Sequence, residues 1–304
     1  MVHSLQINRS TRYTLNNGAK IPVIGYGVYE VPVTKTAQLV YEALKSGYRH
    51  VDTAVVYENQ KEAAEGVQKY LQETGTSREE IWFTTKLWND QQGYEETKKA
   101  LSSIAEDVKE YIGYVDLILL HSPLTSKEKR LGTWKALEEV VADPSSAPIP
   151  VKSIGVSNFG IEHLKELLEV AHVKPVLNQL ELHPWLPHHD LRKFLAEQGI
   201  YAEAYSPLTQ GVKLQDPELL QLESKTGISK VDLLLKWSFL QGFIVLVKSD
   251  KVERIKSNLN VLPDAGDGSD ASISLDDETW KVLDKPYSYE VLTWDNNDPT
   301  TYAK

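Results

Sequence analysis

Eight short apolar runs, separated by amphipathic helical stretches along 304 residues, predict an α/β fold closed as a (β/α)8 (TIM) barrel. Two further observations favour closure over an open doubly wound sheet. Polar and ionisable residues recur at the ends of the runs, as they would around one mouth of a barrel. The first strand–helix turn, Gly25-Tyr26-Gly27-Val28-Tyr29-Glu30, lacks the third glycine of a dinucleotide-binding fingerprint.

A hairpin over 12–21 comes first: Tyr13 and Leu15 lead into Asn16-Asn17-Gly18, a strong turn signal, and Lys20-Ile21-Pro22 leaves it. The first barrel run is Val23-Ile24-Gly25. Ala37, Val40, Ala43 and Leu44 then mark a helix face that Gly47 stops. The second run ends at Asp52, and Ala63, Val67, Tyr70 and Leu71 mark the next helix, stopped near Gly75. Residues 81–86 are the third strand, followed by a helix on Leu101, Ile104, Ala105, Val108 and Ile112 that stops at Gly113. The remaining strands are 115–120, 151–156, 175–180, 200–205 and 243–247. Three segments break the alternation. Residues 143–150 hold three prolines and predict a surface loop; 263–274, rich in Asp, Gly and Ser, predict an exposed, mobile loop. Residues 287–304 lack helical periodicity but carry Tyr287, Tyr289, Trp294 and Tyr302; the expectation is a C-terminal lid loop over one mouth of the barrel, with plain surface packing as the alternative.

The whole chain, 1–304, reads as a single barrel domain, since barrels often exceed 250 residues as one unit. With 33 basic and 43 acidic residues the formal charge is −10, which excludes a global basic face for nucleic acid or an acidic membrane. The absence of cysteine excludes disulfides, thiolate catalysis and thiolate metal sites. No apolar signal core and no membrane-length apolar run is visible, so the expectation is a soluble, cytoplasmic protein. Without a heptad or apolar stripe it is expected to be a monomer, with a dimer as the alternative.

The strand ends carry the chemistry. Asp52 closes one run, Tyr57 lies just past it, and Lys86 and His121 close the next two. A free phenol, with a pKa of about 10, is a poor acid at neutral pH. A nearby ammonium favours phenolate, so Lys86 is expected to lower the Tyr57 pKa, with Asp52 keeping Lys86 charged and aimed. A shift of about two units corresponds to about 2.7 kcal/mol. His121 can hydrogen-bond a substrate carbonyl. The set suits protonation of a developing alkoxide while another agent delivers hydride. Taken singly, each residue has an ordinary structural explanation; together they do not. Rival chemistries fit less well: Gly155-Val156-Ser157-Asn158-Phe159-Gly160 lacks nucleophile-elbow spacing, and Glu181 and His183 offer two metal ligands with no third, so no metal is predicted.

No side chain supplies hydride, so a cofactor must. Lys248, Lys251 and Arg254 place three cations within seven residues of an acidic chain, and Arg254 and Asn258 share a helix face at i, i+4. Such cations can hold a 2′-phosphate, which points to NADPH/NADP rather than NAD. Tyr205 offers a flat ring for a nicotinamide, and Ser157, Asn158 and Gln179 can hydrogen-bond its carboxamide.

These motifs, in order, resemble the aldo-keto reductases over nearly the whole chain. They are Gly25-Tyr26-Gly27, Gly47-Tyr48-Arg49-His50-Val51-Asp52-Thr53-Ala54, Thr85-Lys86-Leu87-Trp88, Asp116-Leu117-Ile118-Leu119-Leu120-His121, Ile154-Gly155-Val156-Ser157-Asn158-Phe159, Asn178-Gln179-Leu180-Glu181-Leu182-His183-Pro184 and Ala204-Tyr205-Ser206-Pro207-Leu208. The closest flavour is similar to the small fungal and bacterial NADPH-dependent carbonyl reductases of the xylose-reductase and diketogluconate-reductase types. The resemblance implies NADPH bound across the strand ends, Tyr57 as general acid, Lys86 and Asp52 as its tuning pair and His121 as the orienting group. It also implies cofactor contacts from Gly27, Val28, Tyr29, Asp52, Ser157, Asn158, Gln179, Tyr205, Ser206, Leu208, Lys248, Ser249, Arg254 and Asn258. The implied substrate pocket comprises Tyr29, Tyr57, Trp88, His121, Ser122, Phe159, Trp185 and Trp294. The chain departs from the family at several points. Ser122 and Tyr29 stand where Trp is common, and Ser122 is expected to remove one wall and open the pocket. Ser257 replaces a frequent adenine-contacting Glu, Val247 a frequent Pro, and the loops at 143–150 and 263–274 look long. The resulting expectation is NADPH-dependent reduction of aldehydes and ketones. The alternatives are an NADP-linked sugar or alcohol dehydrogenase running oxidatively and a non-catalytic cofactor-binding redox sensor.

Overall fold

The computed structural model describes residues 2–264, 266 and 271–303. Three short strands, β1 (Val2–Gln6), β2 (Arg12–Thr14) and β3 (Lys20–Pro22), precede the barrel. The barrel strands are β4 (Ile24–Gly27), β5 (His50–Asp52), β6 (Trp82–Leu87), β7 (Val115–Leu120), β8 (Val151–Ser157), β9 (Leu177–Glu181), β10 (Tyr201–Tyr205) and β11 (Ile244–Val247). They are parallel neighbours in chain order, and β11 pairs back onto β4 to close the barrel. A last strand, β12 (Ser272–Asp276), lies outside it.

The strands are near-continuous apolar runs because side chains and helices cover both faces; every residue of β7 is buried. Helices pack around them on the faces that their periodicity marks. On Val33–Ser46, Val40, Ala43 and Leu44 are fully buried. This helix ends at Gly47, whose φ of 119° is left-handed, and the Gly47 amide bonds back to the carbonyls of Ala43 and Leu44.

The predicted hairpin is β2–β3, and it plugs the end of the barrel opposite the site. Leu15 and Ile21 join Trp82, Leu117, Leu119, Leu177 and Ile244 in a separate apolar cluster, and the Asn16 amide donates to the Pro175 carbonyl at 2.8 Å. Residues 143–150 form the expected loop, with one short 3-10 turn capped by Asp143.

One expectation is corrected. Of the predicted loop 263–274, Ala265 and 267–270 lie outside the described residues, but Ser272 onward is not loop. β12 pairs antiparallel with β1 over five residues, from Val2 opposite Asp276 to Gln6 opposite Ser272. Ile273 and Leu275 alternate inward and are buried. The flanking Asp, Gly and Ser mask this period-two signal, and its partner lies at the other end of the chain, where no local turn announces it.

After the helix Asp277–Leu283, the chain crosses the C-terminal ends of β8, β9 and β10 as the expected lid. Tyr287 and Tyr289 face solvent, so only part of its aromatic content serves the site. No helix among the described residues is long and apolar enough to cross a membrane.

Candidate active site

The barrel brings Asp52, Tyr57, Lys86 and His121 together. Asp52 ends β5, the short helical turn Val55–Tyr57 follows it, Lys86 lies at the end of β6, and His121 follows β7. The fully buried Lys86 ammonium has three N–H groups, and each has a partner. One donates to Asp52 Oδ1 at 2.6 Å, one to the Thr53 carbonyl at 2.8 Å and one to the Tyr57 hydroxyl oxygen at 3.4 Å. The phenolic oxygen thus accepts from Lys86 and keeps its own proton to donate.

The expected lowering of the Tyr57 pKa is not what the structure shows. Burial, and then the Asp52 carboxylate, hold the phenol well above its ordinary value. The Lys86 charge is offset by the carboxylate 2.6 Å away, so little of it acts on the phenol. His121 moves the other way: burial and then Lys86 hold it well below its ordinary value, so it is a neutral imidazole. Its Nδ1 is buried with no partner among the described residues, which leaves Nε2 for the cavity.

These groups open into a cavity of about 1620 Å³. At one end its walls are aromatic. The Tyr29 and Tyr57 rings lie 5.1 Å apart, Trp88 meets the edge of His121 at 4.9 Å, and Trp294 stacks on Trp88 at 5.9 Å and 10°. From there the cavity passes Gly27, Asp52, Ser157, Asn158, Gln179, Tyr205, Ser206 and Leu208 to Lys248, Ser249, Arg254 and Asn258. Neither Lys248 nor Arg254 has an ion-pair partner among the described residues, and they are the only Lys or Arg that line the cavity. The helix Val252–Leu259 begins beside them, with its N-terminal amides available to an anion.

Four predicted contacts are placed elsewhere. Val28 is fully buried, with its amide on the Asp52 carbonyl. Phe159 packs against His163 at 5.7 Å, away from the cavity. Trp185 is also off the wall and holds the lid root, its carbonyl accepting from the Glu290 amide at 2.8 Å. Ser122 is fully buried and donates to Asn89 Oδ1 at 2.5 Å. The opening expected beside His121 is absent, because the stacked Trp88 and Trp294 close it.

The structure also shows roles that were not foreseen. Glu181 holds the lid: its carboxylate accepts from the Leu292 amide at 2.9 Å, the Thr293 amide at 3.3 Å and the Thr293 hydroxyl at 2.5 Å. His183 Nε2 lies 3.0 Å from the same carboxylate, so the two residues weighed as metal ligands form one clamp. Burial works to raise the Glu181 carboxyl, but the bonds from His183 and Thr293 outweigh it and leave the group below its ordinary value. Trp294 donates its indole N–H to the Tyr205 hydroxyl at 2.9 Å, and Tyr205 donates onward to Asn158 Oδ1 at 2.8 Å. Beneath the site, Glu203 is fully buried against Gln179. The acid at the centre of Tyr201-Ala202-Glu203-Ala204-Tyr205 is the signal that would have revealed it.

The closed barrel gathers these groups at its strand ends around one long cavity, an arrangement that can hold a small molecule beside a proton donor. The chain belongs to the Aldo/keto reductase family, whose model matches residues 23–268, and it is an oxidoreductase. An uncharacterized oxidoreductase of Saccharomyces cerevisiae is 41% identical over 94% of this chain and 98% of its own. The glyoxal reductase of Bacillus subtilis is 40% identical over 81% of this chain and 85% of its own. The glycerol 2-dehydrogenase (NADP+) of Hypocrea jecorina is 36% identical over 83% and 87%. Among solved structures, a Bombyx mori aldo-keto reductase in complex with NADP superposes with a TM-score of 0.79 at 26% identity, covering 96% of this chain and 98% of its own.

Proposed function

We propose that the protein is an NADPH-dependent reductase of aldehydes and ketones with Tyr57 as general acid. The observation that carries this reading is the Lys86 ammonium fixed on Asp52, Thr53 and Tyr57 at the floor of the cavity. Tyr205, Ser157, Asn158 and Gln179 would hold the nicotinamide end of the cofactor, and Lys248, Arg254 and the helix start at Val252 its phosphates. The two unpaired cations, set at the end of the cavity away from Tyr57, fit an anionic group there. When bound, the cofactor supplies hydride. The name of the Hypocrea jecorina relative and the Bombyx mori complex support NADP as that cofactor.

The chain's own part is orientation and proton donation. His121 Nε2 faces the cavity beside Tyr57, with ring centroids 5.7 Å apart, so a carbonyl oxygen set between them meets a neutral imidazole and a phenol. Tyr29, Trp88 and Trp294 bound the space for its substituent. An alkoxide is a stronger base than even this phenolate, so the proton passes from Tyr57 Oη to substrate oxygen. Alcohol oxidation, the second reading, is supported by the name of the glycerol 2-dehydrogenase relative. It asks Tyr57 to act as a base, and a phenol held above its ordinary value disfavours that at neutral pH.

Y57F tests the reading. It keeps the ring and removes the donor, and the loss of a general acid is expected to lower kcat about 100-fold or more with NADPH and phenylglyoxal. Turnover near the wild-type value would refute the role of Tyr57.

A further inference from the structure

Gln179 and Glu203 stand opposite each other on adjacent strands β9 and β10, with both side chains buried in the barrel. The Gln179 amide nitrogen donates to Asp52 Oδ2 at 2.8 Å and to Glu203 Oε1 at 2.6 Å. Both its N–H groups are therefore used, and two carboxyl acceptors on one side force the amide orientation. The side-chain amide oxygen Oε1 of Gln179, with no protein partner among the described residues, is the atom left for the cavity that Gln179 lines. Sequence reasoning offered Gln179 as a carboxamide contact; only its acceptor end can serve.

We propose that Glu203 is a positioning residue, which locks the Gln179 side-chain amide so that one N–H stays on Asp52 and Oε1 stays turned to the nicotinamide end of the cavity. The chain of contacts runs Glu203, Gln179, Asp52, Lys86, Tyr57, and Glu203 itself touches neither cavity nor reacting atoms. This role rests on the reductase reading above.

The surroundings of Glu203 suit a neutral acid. Its Oε2 has no hydrogen-bond partner among the described residues, and His50 Nε2 lies 3.8 Å away. His50 Nδ1 faces the Pro22 carbonyl at 3.4 Å, so the proton sits on Nδ1 and Nε2 is an acceptor. The titratable groups that face Glu203 are His50 and Asp52 on β5 and Lys86 on β6; its other strand neighbour, β11, pairs at Ile244. Burial, and then Asp52, push the Glu203 carboxyl up to about 8, while the Gln179 bond and Lys86 act against them. Ionisation of Glu203 adds a second negative charge beside Asp52, which tightens the hold on the Tyr57 proton and weakens it as an acid.

The test compares the full wild-type chain with E203Q and E203L. The readouts are NADPH affinity from quenching of tryptophan fluorescence, kcat and KM with phenylglyoxal, and the pH profile of kcat/KM from about pH 6 to about 9. Gln at 203 keeps an oxygen for the Gln179 N–H and offers an N–H toward His50 Nε2; Leu keeps neither. E203L is expected to weaken NADPH binding and lower kcat/KM about tenfold each, the value of one buried neutral hydrogen bond, with E203Q within about threefold of wild type. The wild-type profile is expected to fall as pH rises through about 8, and E203Q to lose that fall. An E203L variant that is folded by circular dichroism yet binds NADPH and turns over within about twofold of wild type would overturn the role of Glu203. Should E203L not fold, the pH profile of E203Q decides, and an unchanged fall overturns the role. A wild-type chain that neither binds NADPH nor turns over overturns the reductase reading and this one together; wild-type turnover with unchanged variants overturns only this one.

Discussion

Glu181→Ala should open the lid without unfolding the barrel. Glu181 takes three hydrogen bonds from the segment that carries Trp294: two from backbone amides and one from a hydroxyl. Bonds to a charged acceptor contribute about 1.5–3 kcal/mol each. Leu292 and Thr293 are half-buried, so water can replace part of what is lost, and the low end of that range applies. Three bonds then give about 4–5 kcal/mol of lid docking. The Trp294 N–H bond to Tyr205 and the His163 contact with the Tyr302 carbonyl remain. The lid should therefore fray at 290–296 rather than detach. A closed state disfavoured by about 2–3 kcal/mol after this partial compensation raises the carbonyl-substrate KM about 30- to 150-fold. NADPH affinity should fall less, because Lys248 and Arg254 lie far along the cavity from the clamp. The assays are steady-state kinetics and limited proteolysis, in which new cleavage should appear between residues 287 and 298. The clamp also has a pH sign. The folded pKa of Glu181 lies below its unfolded value, so its contribution is present above the unfolded pKa and is lost as pH falls through the folded one. An E181A chain with wild-type KM and wild-type protease resistance would refute the clamp.

Replacing Lys248 and Arg254 together with Ala should raise the NADPH KM by about 100-fold, two lost charge-assisted contacts, and leave the NADH KM within about threefold; equal effects on both cofactors would remove the phosphate role. Acid stability should follow His50, which burial holds down at about 3 and which is fully buried. Because that folded value lies below the unfolded one, stability is retained above the ordinary histidine range and lost as pH falls from there to about 3. Thermal melting across that range should show the loss, and H50Q should flatten it; an H50Q curve parallel to wild type would assign the loss to other groups.

The barrel was legible because its strands are buried on both faces. Runs such as 115–120 are apolar throughout, and a polar side chain at the run's end can only be a mouth residue. Asp52, Lys86 and His121 were visible for that reason, and Tyr57 because it follows Asp52 within one short turn. Side chains whose position depends on distant segments were not visible. Trp294 was named for the pocket by the family resemblance, but its anchor, Glu181 over 100 residues earlier, which holds its neighbours in place, was not visible. Ser122 looked like an opening because local sequence cannot show that Trp294 stacks on Trp88 beside His121. Glu203 was hidden by its own strand: its flanking residues read as an apolar run, and the partner that gives it meaning is on β9.

The direction of the Tyr57 shift changes how the site works. A lysine beside a phenol suggests a lowered pKa only if the ammonium's field is unopposed. Here Asp52 lies closer to Lys86 than Tyr57 does, 2.6 Å against 3.4 Å, and the pair acts on the phenol as a dipole rather than a charge. What Lys86 then provides is geometry: its third N–H holds the phenolic oxygen by a lone pair, so the Tyr57 proton points away from Lys86 and toward the cavity. In the proposed reaction the acid is strengthened when it is needed, because a phenolate forming as the proton leaves is met at once by an ammonium donor that has no reorganisation to undergo. Lys86→Met would remove that donor and leave Asp52 buried with its Gln179 bond alone, so it should damage the fold as well as the rate. Tyr57→Phe should damage the rate and leave the fold, and that contrast separates the group proposed to move the proton from the group proposed to aim it.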